Sequence, residues 1–136
     1  VKVSPVETQG RLRHLLYLDD EAMLVELVRA WFEPRGYRVT GCRLAAEALD
    51  AIRADPTGFD VVVTDYNMPG MSGLQVAQAL ARIRANLPVV LVSGHLSPTA
   101  QAASLATNIK AMVSKTIMWQ QLEGVINRLL NTPPQA

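Results

Sequence analysis

The stretch FDVVVTDYNMPGMSG, residues 59–73, decides the fold. Val61, Val62, Val63 and Thr64 make a nearly unbroken apolar run, the pattern of a strand buried on both faces. Strands of that kind belong to parallel sheets with helices packed on both sides. The run ends on Asp65, a carboxylate placed where a buried strand meets solvent. Pro69 and Gly70 then turn the chain into a helical pattern over 74–84, with Leu74, Ala77, Gln78 and Ala81 on one side.

The same alternation repeats outward from this unit. Residues 14–18, 37–40, 88–92 and 109–113 read as the other strands. Residues 21–32 read as a helix with Leu24, Leu27, Val28 and Trp31 at 3.6 spacing, stopped by Pro34-Arg35-Gly36. Residues 44–53 form the next helix, ending before Asp55-Pro56. Ser97 as cap and Pro98 in the first turn open another, running to about Ala106. Residues 117–130 form the last, burying Leu122, Val125, Ile126, Leu129 and Leu130. Five β units alternating with five α units predict an α/β fold: a doubly wound, five-stranded parallel sheet with helices on both faces. Residues 1–11 carry Pro5 and Gly10 without periodicity and read as a linker; 132–136, with Pro133 and Pro134, read as a flexible tail. One domain, 12–131, remains.

A chain of 136 residues with 49% hydrophobic and 18% charged side chains can bury one core. Net charge is +1, with no Lys/Arg run and 5% aromatics, so neither phosphate-backbone attraction nor base stacking points to nucleic acid. The lone Cys42 excludes an internal disulfide and fits a reducing, cytoplasmic setting. No apolar run approaches the ~18 residues of a spanning helix, and no signal peptide is visible, so no membrane contact is expected. Val1 stands where a start Met is usual, so a fragment or a processed chain is expected.

Ligands of such sheets bind beyond the carboxyl ends of the strands, where strand order reverses. Asp19, Asp20 and Glu21 follow the first strand, Asp65 ends the third, Ser93 and Gly94 follow the fourth, and Lys115 follows the fifth. Each has an ordinary reading: acids cap helices, and a lysine is usually solvated. Together they describe one chemistry. Crowded carboxylates repel, and a hard divalent cation such as Mg²⁺ removes the conflict while leaving room for phosphate oxygens. Asp65 can then attack phosphorus, with Ser93 and Lys115 holding phosphoryl oxygens.

LLYLDDE, VVVTDYNMPGMSG, LPVVLVSG and AMVSK, in this order, resemble the receiver (response regulator) domain of two-component signalling, a flavodoxin-like fold. The resemblance covers about residues 12–130. It implies Asp65 as phosphoacceptor, and Asp19, Asp20, Asp65 and the Asn67 backbone carbonyl as Mg²⁺ ligands. It implies Ser93 and Lys115 as readers of the phosphoryl group, and a histidine kinase or histidine phosphotransfer protein as partner. Asn67 and His95 would flank the approach of water to the phosphorylated site. QGRLRHLLYLDDE and LPVVLVSG are similar to receivers at the C-terminus of hybrid sensor histidine kinases, so the parent chain is expected to be such a kinase. The isolated domain, a monomer or weak dimer, is not expected to be a dedicated enzyme.

The chain departs from the family pattern at three places. Lys115-Thr116 replaces Lys-Pro, and a cis bond before Thr costs roughly 2.5–4 kcal/mol, so the bond is either trans or strained. Met112 stands at the family's switch aromatic. Asn108 replaces a Gly, and Asn tolerates the left-handed conformation that ends a helix. Two other functions compete with phosphoacceptor signalling. One is a receiver-like scaffold that is never phosphorylated. The other is a Mg²⁺-dependent phosphohydrolase with an aspartyl-phosphate intermediate, which usually places a second Asp where this chain has Asn67. His14 reads as a strand residue without a partner, Cys42 as packing, and Trp31 and Trp119 as core or rim.

Overall fold

The computed structural model describes residues 12–94 and 108–131. Five strands, β1 (Arg13–Leu18), β2 (Tyr37–Cys42), β3 (Val61–Asp65), β4 (Val89–Ser93) and β5 (Ile109–Ser114), form one parallel sheet in the order β2-β1-β3-β4-β5. The described helices are α1 (Ala22–Phe32), α2 (Ala45–Ala54), α3 (Gly73–Ile83) and α4 (Met118–Asn131). The expected helix over 97–106, His95, the linker and the tail lie outside the described residues.

Alternation along each strand builds two cores. Leu15, Tyr17, Val61, Val63, Val90, Val92 and Val113 face α1 and α4, meeting Val25, Val28, Phe32, Leu122 and Ile126. Leu16, Leu18, Val62, Val89 and Leu91 face α2 and α3, meeting Ala48, Leu49, Ile52, Val76, Ala77 and Leu80. Every residue of β3 and β4 is buried, as central strands of a covered sheet must be.

The helix boundaries have local causes. Ser72 Oγ accepts from Gln75 N at 3.2 Å while Gln75 Oε1 accepts from Ser72 N at 2.9 Å, a reciprocal cap that starts α3. Glu47 Oε1 accepts from Leu44 N at 3.1 Å and supports the first turn of α2. After α1 the chain tightens into a 3₁₀ turn and leaves through Gly36 at φ 94°, the stop signalled by Pro34-Arg35-Gly36.

Two expectations are corrected. β2 continues past Thr40 to Cys42, because six residues pair with β1. Asn108 is not left-handed, since no described non-glycine residue has positive φ. Its side chain is instead buried, and Nδ2 donates to Ala77 O of α3 at 2.6 Å. Asn108 serves as a clamp between β5 and α3, a role that a glycine could not fill.

Candidate functional site

The chain runs from β1 outward to β2 and then crosses back to β3, so the order reverses between β1 and β3. There the register pairs Leu18 with Thr64, which sets Asp19 beside Asp65 just past the paired ends. Asp65 pairs with Val92, and Ser93, one residue on, pairs with Ser114. Lys115 follows. Four strand ends thus deliver the expected residues to one edge of the sheet.

Asp19, Asp20 and Asp65 each offer a carboxylate oxygen, all within 4.8 Å of one another. Asp19 is fully buried, Asp65 is 5% exposed and Asp20 faces solvent. Lys115 Nζ stands 3.1 Å from Asp65 Oδ2, 3.2 Å from Asp19 Oδ2 and 3.5 Å from Glu21 Oε1. The Lys115–Thr116 peptide bond is trans. A 3₁₀ turn over Lys115–Ile117 and a 2.8 Å contact between the Ser114 and Thr116 hydroxyls carry the chain where a Pro is usual. The lysine therefore points into the cluster with Thr after it.

Asn67 donates its backbone N–H to Asp65 Oδ1 at 3.3 Å. Its side chain is exposed in the loop that leaves β3. That loop turns through Gly70 at φ 83° and closes with Gly73 N donating to Tyr66 O at 2.7 Å. A cleft of about 490 Å³, open to solvent, runs from Asp20 along residues 66–72. Ser93 is buried at the end of β4, on the strand adjoining Asp65.

Burial pushes the Asp65 carboxyl above the usual carboxylate range. The Lys115 ammonium and the Asn67 N–H oppose that rise, while the Asp19 charge adds to it. Burial works against the charge of Lys115, but Asp65 and Asp19 outweigh it and raise the ammonium to about 12. The cluster thus holds more negative charge than one lysine balances. Its donors are all oxygen, with no His or Cys in the group, which suits Mg²⁺ or Mn²⁺ rather than Zn²⁺.

One participant is absent from the sequence reading. Tyr17, fully buried, donates its hydroxyl to Asp19 Oδ2 at 2.9 Å. The signal was present: residues 17 and 19 share a strand face, and Tyr17 is the polar-tipped member of the run LLYL. His14 also differs from expectation. Its Nδ1 lies 2.9 Å from Gly58 O, its Nε2 lies 2.7 Å from Thr40 Oγ1, and its ring stacks on Phe59 at 4.1 Å. Trp31 and Trp119 meet at 6.0 Å on the rim of the α1–α4 core, with the Arg35 guanidinium 3.8 Å over Trp31.

A family model described as the response regulator receiver domain matches residues 15–127. Among curated relatives, the response regulator SaeR of Staphylococcus aureus is 27% identical over 119 residues, 88% of this chain and 51% of its own length. The chain spans about half or less of the length of such relatives. A receiver domain protein from Clostridium thermocellum superposes with a TM-score of 0.82 at 24% identity, covering 88% of this chain and 95% of that one. The response regulator TrrA of Thermotoga maritima, solved in complex with Mg(2+)-BeF, gives a TM-score of 0.77 at 25% identity, covering 88% of this chain and all of that one. Among the described residues, no helix is long and apolar enough to cross a membrane.

Proposed function

Because the chain belongs to the response regulator receiver family, we propose that Asp65 takes a phosphoryl group from a phosphohistidine and thereby switches a protein-binding face. The observation that carries this reading is the convergence of the Lys115 ammonium on Asp65 and Asp19, at 3.1 and 3.2 Å. An ammonium held over a nucleophilic carboxylate is placed to receive phosphoryl oxygens. In the proposed step an ionised Asp65 oxygen attacks phosphorus. The new P–O bond forms as the P–N bond breaks, and its electron pair returns to the imidazole nitrogen, which takes a proton from solvent. Lys115 and the Asn67 N–H favour the ionised Asp65 that this attack requires, against the effect of burial.

Asp19, Asp20, Asp65 and the Asn67 backbone carbonyl are the proposed Mg²⁺ ligands. A cation bound there supplies neutralisation of the clustered carboxylates and of the phosphoryl charge. The Ser93 hydroxyl would donate to one phosphoryl oxygen and Lys115 to another. The complex of the Thermotoga maritima relative with Mg(2+)-BeF supports this assignment. The proposed donor is a cytoplasmic histidine kinase or phosphotransfer protein acting on a monomer or weak dimer. The similarity of QGRLRHLLYLDDE and LPVVLVSG to hybrid-kinase receivers makes a hybrid kinase the proposed parent chain.

Phosphoramidate, whose P–N bond resembles that of phosphohistidine, tests the reading. With Mg²⁺ present, intact mass should rise by one phosphoryl group, and either Asp65→Asn or a chelator should prevent it. Unchanged mass in the wild type under all conditions would favour the scaffold reading instead.

A further inference from the structure

We propose that Tyr17 is a positioning residue for Asp19 and that its hydroxyl sets the affinity of the acid cluster for a divalent cation. This rests on the metal reading of Asp19, Asp20 and Asp65 given above. Tyr17 lies on the face of β1 that packs toward α1 and α4, Asp19 follows one residue past the strand's end, and both are fully buried. The phenol O–H donates to Asp19 Oδ2 at 2.9 Å. Burying a phenol without a partner costs free energy, and here the partner is the ligand carboxylate.

Two other donors reach the same carboxylate. Glu21 N donates to Oδ1 at 2.9 Å, and Lys115 Nζ approaches Oδ2 at 3.2 Å. A carboxylate offers about four lone-pair sites, so three donors fix its plane and leave about one site for a cation or its water. These donors are not equally permanent. Lys115 divides itself among Asp19, Asp65 and Glu21, and on the proposed reading it turns to the phosphoryl group. The Tyr17 hydroxyl then remains on Oδ2, holding the orientation that the lysine no longer enforces. An apolar residue would fill the same core position, so the oxygen is the part that packing does not explain. Outer partners of metal ligands typically contribute 10–100-fold to metal affinity.

Tyr17→Phe removes that oxygen and keeps the ring. Mg²⁺ affinity of the full chain is read by calorimetry, and Mn²⁺ affinity by the loss of the free-ion electron paramagnetic resonance signal. Thermal melts without metal run alongside to establish that each variant is folded. The expected result is a folded Tyr17→Phe variant whose Kd for both ions rises about tenfold or more. In an Asp19→Asn background the same change should add no further loss, because Tyr17 acts through that carboxylate. Equal or tighter binding by Tyr17→Phe would overturn the proposal, as would an undiminished loss in the Asp19→Asn background. A wild type that binds neither ion, or binds them as Asp65→Asn does, would instead bring down the metal reading on which the proposal stands.

Discussion

Lys115 shows what a single residue contributes and what its neighbours in sequence do not reveal. Thr116 in place of the usual Pro left the lysine's direction open, yet Nζ reaches two buried acids. Direction here follows from charge: a mobile ammonium beside uncompensated carboxylates moves to them. Its raised value of about 12 means that its pairing is intact at neutral pH and is lost only as pH rises through that range. Lys115→Ala should therefore lower metal-free stability by about 1–3 kcal/mol in urea melts, toward the low end because the side chain is partly exposed. It should also blunt the response to phosphorylation more than it weakens Mg²⁺ binding. Asp65 carries the same linkage sign, in its own lower pH range. Its folded pKa is raised, mainly by burial, so only between the unfolded and folded values does the native state keep a proton that the unfolded chain has released. The stability tied to that proton is lost as pH rises through the window. Metal-free Asp65→Asn should thus melt higher than wild type near neutral pH, and the gap should close toward acid pH. Cys42, read as packing, is buried with its thiol pushed up to about 11 by burial. Its labelling by a disulfide reagent at mildly alkaline pH should be slow in the folded protein and fast in urea.

At the scale of elements, periodicity located each described strand and helix, and the residues it misjudged have partners distant in sequence. Asn108 was expected to end a helix, but its partner Ala77 lies 31 residues away. His14 was read as unpartnered, and its contacts lie 26 and 44 residues on. The second strand was expected to end at Thr40, one residue before Gly41. A Cβ there would stand 2.3 Å from Val25 Cγ1, so the glycine exists to let α1 lie against the strand. Gly73 carries the same logic to the site. A Cβ on it would meet Asp65 O at 2.8 Å and Tyr66 Cα at 2.9 Å, both backbone. Gly73→Ala should displace the loop that presents Asp65, destabilise the fold by about 1–3 kcal/mol in denaturant melts, and weaken Mg²⁺ binding. Ser72→Ala, one residue earlier, should cost about 1 kcal/mol through loss of the α3 cap and leave Mg²⁺ affinity near that of wild type.

At the scale of the molecule, the site is a consequence of topology. Reversal between β1 and β3 gathers residues from four strand ends, and this convergence was legible because a parallel sheet sends every carboxyl end to one edge. The Tyr17 hydroxyl was not legible as part of the site, because an aromatic in an apolar run satisfies the core on its own terms. Gathering the acids opposes folding through carboxylate repulsion until a cation arrives. Mg²⁺ should therefore raise the melting temperature of the wild type, by the equivalent of about 2.7 kcal/mol at 100 times Kd, and leave that of Asp65→Asn nearly unchanged. The central claim, that Asp65 is the phosphoacceptor, is tested most directly by chemical mapping. Borohydride reduces an aspartyl phosphate to homoserine, which peptide mass spectrometry can locate. After treatment with phosphoramidate and Mg²⁺, homoserine should appear at position 65 alone and vanish when the metal is chelated. Homoserine at position 19 or 20, or none anywhere, would contradict it.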